Sequence, residues 1–130
     1  MTDSARLAEL KQHEEELVFA SFDHHDAWRL GSLIANRAIT EGHAVAIDKS
    51  ASALRFEHST ALLTEQFTDY DPTQGGWLAP EDYTLAGGSF PIRVRGTGVV
   101  AAVTASGLSS DDDHQLVVDS IGTYLKEVAA

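Results

Sequence analysis

The chain holds six histidines and no cysteine, so imidazole is its most versatile reactive group. An imidazole can ligate a metal, move a proton or bind an anion. Asp23-His24-His25-Asp26 is the only dense cluster around these side chains. It could serve as a metal or acid–base site. Adjacent residues at a helix start point in different directions, so the two rings do not easily share one metal. No His-x-x-x-His or Glu-x-x-His pair supports them. The plainer reading is a polar first helical turn capped by Asp23. His114 stands just after the corner Ser106-Gly107-Leu108. The free N–H groups of a helix start can hold an anionic group, and a nearby imidazole can donate or ligate. Asp111, Asp112 and Asp113 oppose an anion there, so His114 also reads as part of a carboxylate-rich cap. His58 is expected to end a strand, and His13 and His43 to be solvated.

Arg93 and Arg95 alternate with Ile92 and Val94, which places both guanidinium groups on one face of a strand. They could bind a carboxylate-bearing ligand or pair with acidic residues of a neighbouring subunit. They could equally blunt an exposed edge strand with charge. Ser106-Gly107 sits at a strand-to-helix turn, but Thr104 and Leu108 stand where a nucleophile elbow needs glycine. Gly96-Thr97-Gly98 lacks the third glycine of a dinucleotide loop and joins two strands, so it reads as a turn.

These residues need a scaffold. The chain has 130 residues, enough for one domain spanning 1–130. Hydrophobic residues make up 43% and charged residues 22%, a globular mix. Nine Lys+Arg stand against twenty Asp+Glu, a formal net charge of -11. That balance argues against nucleic acid or an anionic membrane as partner. The lack of cysteine excludes disulfides, thiolate metal sites and cysteine nucleophiles. Met1 to Glu16 is too polar for a signal peptide, and no run reaches the roughly 18–20 apolar residues of a spanning helix. The expected location is cytoplasmic.

Leu7, Leu10 and Leu17 predict a helix over Ser4–Glu16, followed by a strand over Leu17–Phe22. Ala27, Leu30, Gly31, Ile34 and Ala38 predict the apolar face of a helix over Asp23–Glu41. Ala44–Asp48 and Leu54–His58 read as a strand hairpin. A short helix is expected after Ser59 or Thr60, and a loop over Asp71–Gly76. Phe90–Arg95 reads as a strand, with Pro91 confined to its start or to a free edge. Val99–Ser106 reads as a strand buried on both faces. Ser110 and Asp113 have capping-box spacing before a last helix whose apolar face carries Leu116, Val117, Ile121, Tyr124, Leu125 and Val128. Hairpins between helices imply an α+β fold.

Several of these segments together resemble the haem-degrading domain family. They are Gly87-Gly88-Ser89-Phe90-Pro91-Ile92, then Gly96-x-Gly98 leading into Val99-Val100-Ala101-Ala102-Val103-Thr104-Ala105-Ser106-Gly107-Leu108, then Asp113-His114. Leu17-Val18-Phe19, Phe22, Asp26-Ala27-Trp28, Leu30-Gly31 and Ala46-Ile47-Asp48 extend the resemblance to its uncharacterised cytosolic branch. Members of that branch usually carry an acidic loop and a basic helix where only Ser59–Ala86 stands here. The resemblance implies a roughly five-stranded antiparallel sheet flanked by helices, of profilin-like or sensor-like topology, and a homo-oligomer. It implies a small-ligand-binding module for a planar or carboxylated ligand, with haem the leading candidate. The expected site comprises Arg93, Arg95, Ser106, Gly107 and His114, with His114 ahead of His24 and His58 as iron ligand. A protein-interaction module without ligand and a haem-degrading enzyme are the alternatives.

Overall fold

In a computed structural model, residues 3–41, 50–74, 76–79 and 83–129 are described. The elements run α1 (Asp3–Glu16), β1 (Val18–Phe19), α2 (His24–Glu41), α3 (Ser50–Phe56), α4 (Thr60–Gln66), β2 (Ser89–Val94), β3 (Gly98–Thr104) and α5 (Ser110–Ala129). Among the described residues, the sheet has three strands in the order β1-β2-β3. The α+β class expected from the sequence is present. The sheet is mixed, not antiparallel: β1 runs parallel to β2, and β3 antiparallel to it. The strand expected over Ala44–Asp48 lies outside the described residues. Leu54–His58 is no strand, because Leu54 to Phe56 end α3. Ser52 and Ala53 are buried while Leu54 is 48% exposed, a one-sided burial that a helix satisfies.

Local chemistry accounts for most boundaries. Asp23 and Asp26 cap α2 reciprocally, each backbone N–H donating to the other's carboxylate at 2.9 Å. Ser59 caps α4 by accepting the Leu62 N–H at 3.2 Å. The cap of α5 is Ser109, one residue before the expected Ser110. Its hydroxyl accepts the Asp112 N–H at 3.2 Å, and Asp113 reaches back to the Leu108 N–H at 3.0 Å. Pro91 pairs with Ala102, beyond the Arg93–Val94 stretch where β1 runs alongside, so its missing N–H leaves no gap in that short ladder.

The main core joins Phe19, Leu30, Ile34, Phe90, Ile92, Val117, Ile121 and Tyr124. A smaller cluster of Leu10, Ala61 and Leu62 ties α1 to α4. Two expectations about burial fail. β3 is half-buried, with Val100 46% exposed, so it is not an interior strand. Of the anticipated α2 face, Leu30 and Ile34 enter the core while Ala27 and Gly31 are exposed, and the Ala38 side chain lies outside what is described. Glycines in the Gly87-Gly88 pair have distinct duties. Gly88 takes a φ of 127°, and a Cβ on Gly87 would stand 2.6 Å from the Ser110 carbonyl oxygen. The pair lets the entry to β2 pass under the start of α5.

Candidate functional site

The residues singled out in the sequence fall in separate places. Arg93 is half-buried near the end of β2, and its Nη2 donates to the Glu57 carbonyl at 2.7 Å. Arg95 lies past β2, in the exposed turn, and its backbone N–H donates to Phe19 at 2.9 Å. The two therefore do not form one strand face. Ser106 is half-buried and Gly107 is exposed, between β3 and α5. Among the described residues, no hydrogen bond or ion pair joins either arginine to Ser106, Gly107 or His114.

His114 is fully buried on the first turns of α5. Its Nε2 lies 3.2 Å from Nδ1 of His13, which is half-buried on α1 and not solvated as expected. Its Nδ1 has no hydrogen-bond partner among the described residues. Phe90 packs with its centroid 6.2 Å from the imidazole. Burial pulls the His114 pKa down to about 4, with the His13 and Arg6 charges adding to the effect and Asp111 opposing it. A buried, neutral ring with one nitrogen already engaged is a poor ligand for an incoming iron.

Two clefts remain. One, of about 470 Å³, is lined by Phe22, Asp23, His24, Ala27, Val100 and Ala101. It lies where the start of α2 passes β3. The exposed Ala27 and Val100 give it an apolar wall, and His24 brings an imidazole to that wall. The other, of about 370 Å³, is lined by Lys11, Glu14, Glu15, Val18, His58, Leu62, Gln66 and Arg93. In it, Glu14 is buried, accepts the Ser59 N–H at 2.9 Å and faces His58 Nδ1 at 3.2 Å. Burial raises the Glu14 carboxyl above its ordinary range, against the lowering pull of Ser59, His58 and Arg93.

Sequence reading passed over Glu14. The available signal was its place on the stripe Leu7-Leu10-Glu14-Leu17, the inward face of α1. A carboxylate on an apolar stripe needs a partner. Among the described residues, no group of three or more His, Asp or Glu is placed to hold a metal ion. No helix there is long and apolar enough to cross a membrane.

The described elements form an α+β fold around a short three-stranded sheet. A family profile described as "Haem degrading protein HbpS-like" matches residues 38–121, and the chain belongs to that family. It is similar to a UPF0303 protein of Pseudomonas entomophila (strain L48), 36% identical over 92% of this chain and 82% of the relative. A UPF0303 protein of Streptomyces coelicolor is 34% identical over 93% of this chain and 94% of its own. The crystal structure of the Ybr137w protein has the same fold, with a TM-score of 0.84 at 24% identity, covering 95% of this chain and 90% of that one.

Proposed function

We propose that this chain is a small-ligand-binding module that takes haem in the cleft between α2 and β3. The observation that carries the reading is the juxtaposition of His24 with the apolar wall of Phe22, Ala27, Val100 and Ala101. A planar macrocycle needs such a wall, and its iron needs an accessible nitrogen. His24 replaces His114 as the proposed ligand, because His114 is fully buried and its Nε2 is engaged. Arg93 and Arg95 stay candidates for contacting carboxylate groups, not for building the cleft. Bound haem would supply an iron centre. Phe22, Ala27 and Val100 would hold the ring and exclude water from one of its faces. Cytoplasm is the proposed location. The reading carries with it the larger, profilin-like sheet expected from the family.

A second reading rests on two exposed apolar side chains, Trp28 on α2 at 75% and Val100 on β3 at 46%. A second copy of the chain would cover both, giving the homo-oligomer expected from the resemblance.

Titration with haemin tests the first reading. A saturable Soret shift is expected, lost in His24→Ala and kept in His114→Ala. Absence of saturable binding, or a shift indifferent to His24, overturns it. Loss of the haem absorbance under reductant would add a degrading activity to the binding role. Light scattering tests the second reading, with Trp28→Glu expected to dissociate the assembly.

A further inference from the structure

Arg93 apart, the smaller cleft carries chemistry that the haem reading does not use. Glu14 and His58 form a carboxylate–imidazole pair between α1 and the start of α4. The carboxylate oxygens lie 3.3 and 3.2 Å from Nδ1, so this nitrogen is the one that carries the proton in the neutral ring. Nε2 is then left with a lone pair and no partner among the described residues. The Glu14 carboxylate is itself held by the Ser59 N–H and is only 7% exposed, which fixes the ring it supports. His58 is 43% exposed and lines the cleft.

In a chain of net charge -11, this cleft is charge-balanced, with Lys11 and Arg93 against Glu14 and Glu15. The chain has nine Lys+Arg against twenty Asp+Glu, and two of the nine, Lys11 and Arg93, line this one cleft. Neither forms an ion pair among the described residues. Arg93 is oriented by the bond from Nη2 to the Glu57 carbonyl, which leaves its other N–H groups for a ligand. Glu57 takes a φ of 58° to present that carbonyl. Val18 and Leu62 supply apolar wall. Glu14 and Glu15 add negative charge, which disfavours a dianion such as phosphate more than a monoanion. A volume of about 370 Å³ is at the small end for ligand pockets.

We propose that this cleft binds a small monocarboxylic acid. Its carboxylate meets Arg93 and Lys11, its carbon body lies on Val18 and Leu62, and His58 Nε2 hydrogen-bonds to it. Glu14 is a positioning residue that sets the His58 tautomer. The site is separate from the haem cleft, since the two share no lining residue.

Benzoate is a suitable probe, followed through the imidazole nitrogen resonances of the intact chain. His58 is expected to shift saturably, with a Kd of roughly 1 mM or tighter. Arg93→Met and His58→Gln should each weaken binding about tenfold, the loss of one charge-assisted contact. Glu14→Gln should redistribute the His58 tautomers before any ligand is added, which a merely structural Glu14 would not do. His24→Ala should change nothing, so failure of the haem reading leaves this result intact. No saturable change at His58 overturns the proposal, and the wild-type chain alone decides that point should a variant not fold. A shift of His24 in place of His58 also overturns it. Equal affinity for inorganic phosphate, with the same dependence on Arg93, overturns the assignment to a carboxylic acid.

Discussion

Nε2 of His114 lies 3.2 Å from Nδ1 of His13, joining the two ends of the chain through a pair of imidazoles. One proton can bridge these nitrogens, so the pair is stable with both rings neutral. Protonating both rings would put two cations side by side in a buried place. That is why burial and the His13 charge together pull the His114 pKa to about 4.

The pair makes stability depend on pH. The His114 pKa falls from 6.5 in the unfolded chain to about 4 in the native one. Between those values the unfolded state binds a proton that the native state does not, so stability rises with pH across that window. From pH 7 down to pH 4, His114 should cost on the order of 3 kcal/mol as an upper bound, at 1.36 kcal/mol per pKa unit. Urea denaturation of the wild type and of His114→Leu at several pH values measures it. The variant should lose most of the slope. Glu14, whose carboxyl is raised, works in the opposite sense, and the comparison between the two chains removes its contribution. Parallel slopes in both chains would show that His114 is not held neutral.

The start of α5 gives a sharper test, since two neighbouring serines have different duties. Ser109 accepts the Asp112 N–H, while the Ser110 side chain is exposed within the first turn. Ser109→Ala should cost about 1 kcal/mol through the lost cap. Ser110→Ala should stay within about 0.5 kcal/mol, as for an ordinary surface change. Thermal melts of the two variants check the difference. Equal effects would move the helix start.

What could be read from the sequence follows the range of the forces involved. Helix α1, the capped helices α2, α4 and α5 and the turn at Gly96 depend on neighbours within four residues, so periodicity and cap chemistry reveal them. α3 was misread because Leu54-Arg55-Phe56-Glu57-His58 alternates like a strand. The better signal was the three-residue spacing of Ala53 and Phe56, of which Ala53 is wholly buried. β3 is a strand as expected, but its burial is not legible, because its alanines suit close packing whereas they are only half-covered. The functional pairings were the least legible. His13 and His114 are 101 residues apart, and His58 and Glu14 are 44 apart, so no local pattern announces either. Arg93 and Arg95 were expected to share a face, which the end of β2 at Val94 prevents.

The same substitution at two glycines should have opposite signs. A Cβ at Gly87 would stand 2.6 Å from the Ser110 carbonyl oxygen and 3.1 Å from its carbon. Those are backbone atoms at the start of a long helix, so relief requires moving α5 or the entry to β2. Gly87→Ala should therefore destabilise by about 1–3 kcal/mol, the range for overpacking. Gly31 lies inside α2 with nothing within 4 Å of an added Cβ. Gly31→Ala should stabilise by up to about 1 kcal/mol, because alanine is the better helix former. Denaturant midpoints at constant slope separate the two outcomes. A neutral Gly87→Ala would mean that the segment before β2 does not pass closely under α5. The glycine pair would then need only the positive φ of Gly88 to explain it.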